Sequence, residues 1–155
     1  MIERNDNRVW LRLPNGTYYL VGEGITSLSE RCETVLLETP RINRPVCERE
    51  ILYHVPRLEF EGYRAPSDPA NEYLVSRYLK RGDDTLVTLI IGNRNDKQVG
   101  QTMKARRVTG HVCIENPGSG EGPFGSRIKG QIVYASQPEE GVYYEDQQRF
   151  IPYQI

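Results

Sequence analysis

The chain has 155 residues, a formal net charge of -1, a pI near 6.2, 37% hydrophobic residues and a mean hydropathy of -0.61. That length suits a single domain over residues 1–155, with one core and a largely polar surface. The charge balance excludes a general nucleic-acid binder, which needs a basic face to displace counterions. No run approaches the roughly eighteen apolar residues that span a bilayer, so no membrane partner is expected.

In chain order, Val9-Trp10-Leu11-Arg12-Leu13 and Thr17-Tyr18-Tyr19-Leu20-Val21 are short β-prone runs split by Pro14-Asn15-Gly16. The Asn-Gly pair tolerates positive φ, which predicts a hairpin. Two longer extended segments follow, at about 33–37 and 50–61. Leu58-Glu59-Phe60-Glu61 alternates apolar and charged, the mark of a strand wet on one side, and Pro56 implies an edge, a bulge or a boundary. Pro40 and Pro45 rule out a regular central strand across 38–49. That stretch reads as the extended, polar, proline-stiffened tip of a long hairpin, and loops of such length are often functional.

Ser67-Asp68-Pro69 supplies an N-cap and a first-turn proline. Leu74, Val75, Tyr78 and Leu79 recur at helical spacing, and Lys80-Arg81-Gly82 gives a basic last turn and a glycine stop. The pattern predicts one helix at about 69–81, packed by one stripe onto a sheet. Residues 85–91 are nearly apolar on both faces, as in a strand covered on both sides. Segments 103–115 and 128–135 are also β-like, joined by a flexible glycine-rich loop at 116–126. The tail adds a short strand at 141–144 and an extended end. Seven or eight strands and one helix imply a mostly β fold: a β-sandwich or partly closed barrel with one flanking α-helix.

Catalytic motifs are missing from the sequence. Cys32, Cys47 and Cys113 form no CxxC and have no metal-ligand spacing. Their odd number, with no apolar h-region at the N-terminus, predicts reduced thiols in a cytosolic compartment. His54 and His111 each fall inside a predicted strand, and His111-Val112-Cys113 is taken to set His and Cys on opposite sides of a pleat. The carboxylate pairs (Glu48 with Glu50, Glu59 with Glu61, Asp83 with Asp84, Glu139 with Glu140) are sequence neighbours, not two groups facing across a cleft. The glycine-rich segment 118–125 leads into a β segment and lacks the Gly-Lys-Ser/Thr of a phosphate loop. We expect no catalytic residue, cofactor or metal, and no enzymatic activity.

Several stretches carry a family likeness. They are Gly22-Glu23-Gly24-Ile25-Thr26-Ser27-Leu28-Ser29-Glu30, Arg57-Leu58-Glu59-Phe60-Glu61-Gly62-Tyr63, Asp68-Pro69-Ala70-Asn71-Glu72-Tyr73-Leu74, and Gly130-Gln131-Ile132-Val133-Tyr134-Ala135 with Gly141-Val142-Tyr143. In this order the chain resembles the major tail tube proteins of long-tailed bacteriophages and related phage-like particles. The resemblance implies a sandwich flanked by a helix, closing into hexameric rings whose inner strands form a continuous barrel. Such rings stack into a tube through which DNA passes without specific binding. It also implies a place in the virion tail, assembly in the host cytoplasm, and tape measure, terminator and distal tail proteins as further partners.

On this reading the loop 38–49 stacks rings, with Arg41, Arg44 and Arg49 as candidates for inter-ring salt bridges. The strands at 33–37 and 50–61 line the channel, with Glu33, Glu50, Glu59 and Glu61 facing the lumen, a facing that one slip of register would reverse. The alternatives are another tail or neck component (a terminator, a connector or the tube of a contractile tail) and a monomeric β-barrel that binds a ligand through Tyr18, Tyr19, Tyr143 and Tyr144. A small hydrolase using His54 or His111 is a third.

Overall fold

The fold is given by a computed structural model that describes residues 7–43, 45–93, 102–117 and 127–153. β1 (Asn7–Arg12) and β2 (Tyr18–Leu20) form the N-terminal hairpin. Its turn closes because Gly16 takes a φ of 87° while Asn15 Oδ1 accepts the Thr17 N–H at 3.0 Å.

β3 (Ile25–Thr39) and β4 (Glu48–Tyr63) pair antiparallel from Ile25 opposite Gly62 to Thr39 opposite Glu48. The ladder outruns the expected segments, and the unpaired tip shrinks to 40–47, where Pro40 and Pro45 interrupt the supply of N–H donors. Two irregularities leave Thr26 on β3 and Leu52 on β4 as extra residues.

Helix α1 (Pro69–Ser76) starts as the sequence predicts, with Asp68 accepting the Asn71 N–H at 3.0 Å and Pro69 in the first turn. It stops short of residue 81. Ser76 Oγ donates to the Tyr73 carbonyl at 2.6 Å, a side-chain bond that competes with the helix. The backbone then tightens through Tyr78 N–H to Val75 O and Lys80 N–H to Arg77 O, with Leu79 at a φ of 61°. Of the predicted apolar stripe, Leu74 and Val75 are buried while Tyr78 and Leu79 are exposed.

A short 3-10 turn (Gly82–Thr85) leads into β5 (Leu86–Asn93), followed by β6 (Thr102–Pro117), β7 (Arg127–Tyr134), β8 (Glu139–Tyr144) and β9 (Arg149–Pro152). The expected loop at 116–126 begins later than predicted, because Asn116 and Pro117 belong to β6; its remainder, 118–126, lies outside the described residues.

All these strands join one open antiparallel sheet in the order β2-β1-β5-β6-β7-β4-β3, with β8 on β6 and β9 on β8. The strand β6 serves two layers. Its later half pairs with β7, its earlier half pairs with β8, and β5 flanks it from Ala105 to His111. The layer β3-β4-β7-β6 contributes Leu58, Phe60, Val112, Ile132 and Tyr134 to a core. The layer β2-β1-β5-β6 supplies Val9, Leu11, Val87, Leu89, Ile91 and Val108 to the same core, and α1 adds Ala70 and Leu74. The sandwich is therefore one sheet folded over, with a helix at its flank.

A second core lies on the opposite face of the latter layer, where Trp10, Ile90, Met103 and Ala105 meet Tyr143 and Phe150. Trp10 and Tyr143 belong to strands three steps apart, about 14 Å in a flat sheet, yet their rings are centred 4.9 Å apart. The sheet is curled tightly at this end. Burial, then Glu145 and Tyr18, pushes the Tyr143 hydroxyl up to about 12.

Two polar joints tie distant parts of the chain together. The Tyr134 hydroxyl donates to Glu30, whose carboxylate also takes Arg106 Nη2 at 3.1 Å, tying β3 to β6 and β7. Burial, reinforced by Glu30, pushes the Tyr134 hydroxyl up. The other joint is Asn71, 1% exposed. Its Nδ2 donates to the Glu23 carbonyl at 3.1 Å and to the Tyr63 carbonyl at 3.0 Å, and its Oδ1 accepts the Ala65 N–H at 3.0 Å. Next to it Gly24 and Gly62 approach so closely that a Cβ on Gly62 would collide with the Gly24 carbonyl. Replacing Asn71 by alanine strands three backbone groups, and each unmet buried group costs about 1–3 kcal/mol. Asn71→Ala is therefore predicted to lower unfolding free energy by roughly 2–4 kcal/mol in urea denaturation, and an unchanged midpoint would contradict this role.

Candidate assembly surfaces

The layer β3-β4-β7-β6 has one face in the core and one in solvent. Register sets Ser29, Glu59, Gln131 and Cys113 in one row and Ile25, Gly62, Ile128 and Pro117 in another, so the strand ends form a flush block. On its solvent face Arg31, Arg57, Arg127 and Lys129 stand among Glu33, Glu59, Glu61 and Glu115. Each cation is matched: Arg31 with Glu59 at 2.8 Å, Arg57 with Glu59 at 3.1 Å and Glu33 at 3.9 Å, Arg127 with Glu61 at 3.0 Å, and Lys129 with Glu115 at 3.6 Å.

These side chains are 32% to 65% exposed, and pairs so exposed contribute at most about 1 kcal/mol each. Their main effect is on surface potential, because a cation already held by a carboxylate has little field left for a phosphate. The face is only slightly hollowed, with a depression of about 270 Å³ lined by Ser27, Ser29, Arg31, Glu59 and Gln131 among others.

The expected lumen residues Glu33, Glu59 and Glu61 share this face. Glu50 follows it outward: the extra residue Leu52 shifts the register, so Glu50 stands opposite Leu37, which shares a side with Glu33. The basic partners were not among the predicted site residues. Their signal was the period-two spacing of Arg31 with Glu33, of Arg57 with Glu59 and Glu61, and of Arg127 with Lys129 and Gln131.

Beyond Cys32 and Pro56 the β3–β4 pair leaves the core and continues as an arm of about 25 Å, at roughly 3.3 Å per residue. It is apolar and uncovered, with Leu36, Leu37, Ile51, Leu52 and Tyr53 between 44% and 60% exposed, and Ile42 and Val46 exposed at the tip. Of the predicted stacking arginines, Arg49 pairs with Glu38 across the ladder at 3.1 Å and Arg41 with Glu48 at 3.1 Å. Arg44 lies outside the described residues.

The block also has open edges. Among the described residues β3 has no partner on its outer side along its length. Among the described residues β6 is open on the side away from β7 from 112 to 117, because its pairing with β5 ends at His111, opposite Leu86.

Of the other candidates, the two histidines and Cys113 form no joint site, whereas three of the four tyrosines meet. Register corrects the expected separation of His111 and Cys113: residues two apart on a strand share a face, and both belong to the ion-paired one, opposite Val133 and Gln131. They still make no nucleophile pair, since His111 Nδ1 is bonded to Thr85 Oγ1 at 2.9 Å and Cys113 Sγ faces the His111 carbonyl at 4.0 Å. His54 Nδ1 is bonded to Thr34 Oγ1 at 3.0 Å. Tyr18 and Tyr143 pack ring to ring at 5.9 Å, with Tyr143 buried beside Trp10, and together with Tyr19 they border a shallow depression of about 450 Å³ that Tyr144 does not line. Among the described residues no group of three or more His, Cys, Asp or Glu is placed to hold a metal, and no helix is long and apolar enough to cross a membrane.

The sequence matches no protein-family model and no curated protein. Its fold does have a solved counterpart, the tail of an empty gene transfer agent (GTA) particle determined with C6 symmetry. The two superpose with a TM-score of 0.60, covering 89% of this chain and 97% of that one, at 9% sequence identity. The folded-over sheet with its single helix is thus shared with a tail component of a phage-like particle.

Proposed function

We propose that this chain is the structural subunit of a phage-like tail tube, a non-enzymatic protein that closes into hexameric rings and stacks them into a hollow channel for DNA. The observation that carries this reading is the flush four-stranded block, with a self-neutralised solvent face and open edges on β3 and β6. A channel for a polyanion must admit it without holding it, and the block offers paired charges where a binding groove would offer free cations. The C6 symmetry of the structural counterpart agrees with six copies around an axis. The arm then runs along the tube, with its tip at 40–47 directed toward the next ring. A place in the virion tail, and tape measure, terminator and distal tail proteins as neighbours, belong to the same reading.

A terminator or connector on the same fold would form rings that do not stack. Negative-stain microscopy of the purified chain at rising concentration separates the readings. Stacked rings or hollow tubes are expected, whereas rings that never stack, or a monomer throughout, would overturn the tube subunit.

The neutral channel has its own test. Glu59→Gln with Glu61→Gln frees Arg31 and Arg127 from their carboxylates and leaves Arg57 only the longer contact to Glu33 at 3.9 Å. Duplex DNA should bind this variant at least about tenfold more tightly than the parent at low salt, with the gain lost as salt rises. Equal, negligible binding by both in fluorescence anisotropy would contradict the idea that ion pairing keeps the face inert.

A further inference from the structure

If copies stand in a ring as proposed above, β3 of one copy lies beside β6 of the next. Within a chain β3, β4, β7 and β6 are each antiparallel to the one before, so β3 and β6 run in opposite directions. Cyclic symmetry preserves each copy's direction along the axis, so β3 meets the neighbouring β6 antiparallel and the ladder continues without a break. The neighbour's open edge is short, however. It runs only over 112–117 and closes at His111, where Leu86 pairs and the turn Gly82–Thr85 packs against β6.

A β3 strand laid on that edge uses its first residues for pairing and carries its arm across the place where the edge closes. This place is apolar and exposed: Leu79 is 80% exposed, with Tyr78 and Leu86 also open. Beside it Lys80 and Arg81 have no carboxylate partner among the described residues. The arm brings Leu36 opposite Ile51, with the extra residue Leu52, and among the described residues no other element covers these side chains. From the path of the strand past the closed edge and the match of exposed apolar area on both sides, we infer that the arm of one copy docks on the helix-end patch Tyr78, Leu79 and Leu86 of the copy beside it in the same ring. The β3–β4 pairing that lines the channel thus also clasps the ring from outside the ladder.

Leu79→Glu and Ile51→Glu test the contact, because both side chains are exposed and circular dichroism can establish that the fold is kept. Each is expected to raise the concentration needed for ring formation at least tenfold in analytical ultracentrifugation. Parent-like ring formation by both variants would overturn the proposal. In a cysteine-free background, copies with Leu36→Cys mixed with copies with Leu79→Cys should be joined by a short bismaleimide in isolated single rings. Coupling seen only in stacked tubes would place the arm on the next ring, overturning the clasp and leaving the tube reading intact. A parent chain that forms no ring at any concentration would overturn both.

Discussion

β3 and β4 stay paired well past the point where the core beneath them ends. Backbone hydrogen bonding keeps the ladder in register from Ile25 opposite Gly62 to Thr39 opposite Glu48, and side-chain burial supports only its inner half. Near Phe60 and Leu58 the pair is a wall of the core, held at its base by Asn71 and braced by the Glu30 bridge to Tyr134 and Arg106. Further out the same two strands are an arm with apolar side chains in water. A lone two-stranded ribbon is marginal by itself, so this one depends on the anchored inner half. The exposed half is where a partner has the most to gain by binding.

The register that places Phe60 and Leu58 inward places Glu59, Glu61 and Arg57 outward, and the extra residue Leu52 keeps Glu50 on that outward side. Burial on one face and charge pairing on the other are thus two consequences of one alternation. The pairs add little to stability, since their members are part-exposed. They leave a surface carrying charged groups of both signs, each cation already matched.

Much of this was legible in the sequence. The Asn15-Gly16 turn, the Asp68-Pro69 helix start and the alternation at 58–61 each reflect local chemistry, and local chemistry decided them. What escaped was set by distant contacts. The helix end depended on Ser76 turning back to Tyr73, a choice that the periodic Tyr78 and Leu79 obscured. The length of β3 and β4 depended on their partnership with each other, which carries the ladder into the stretch that the prolines at 40 and 45 mark as loop. Among the site residues, the four glutamates were visible as charges in extended runs, but the arginines that pair with Glu33, Glu59 and Glu61 come from three different strands. The folding of one sheet into two layers through β6 has no local signature at all.

The central claim is that the ion-paired face of β3, β4, β7 and β6 lines a channel enclosed by copies of this chain. Electron cryomicroscopy of the assembled protein at side-chain resolution tests it most directly. The account predicts a continuous antiparallel barrel with Arg31, Arg57, Glu59, Glu61 and Gln131 on its inner wall. An assembly that turns those residues outward, or that joins its copies through surfaces other than the edges of β3 and β6, would contradict it.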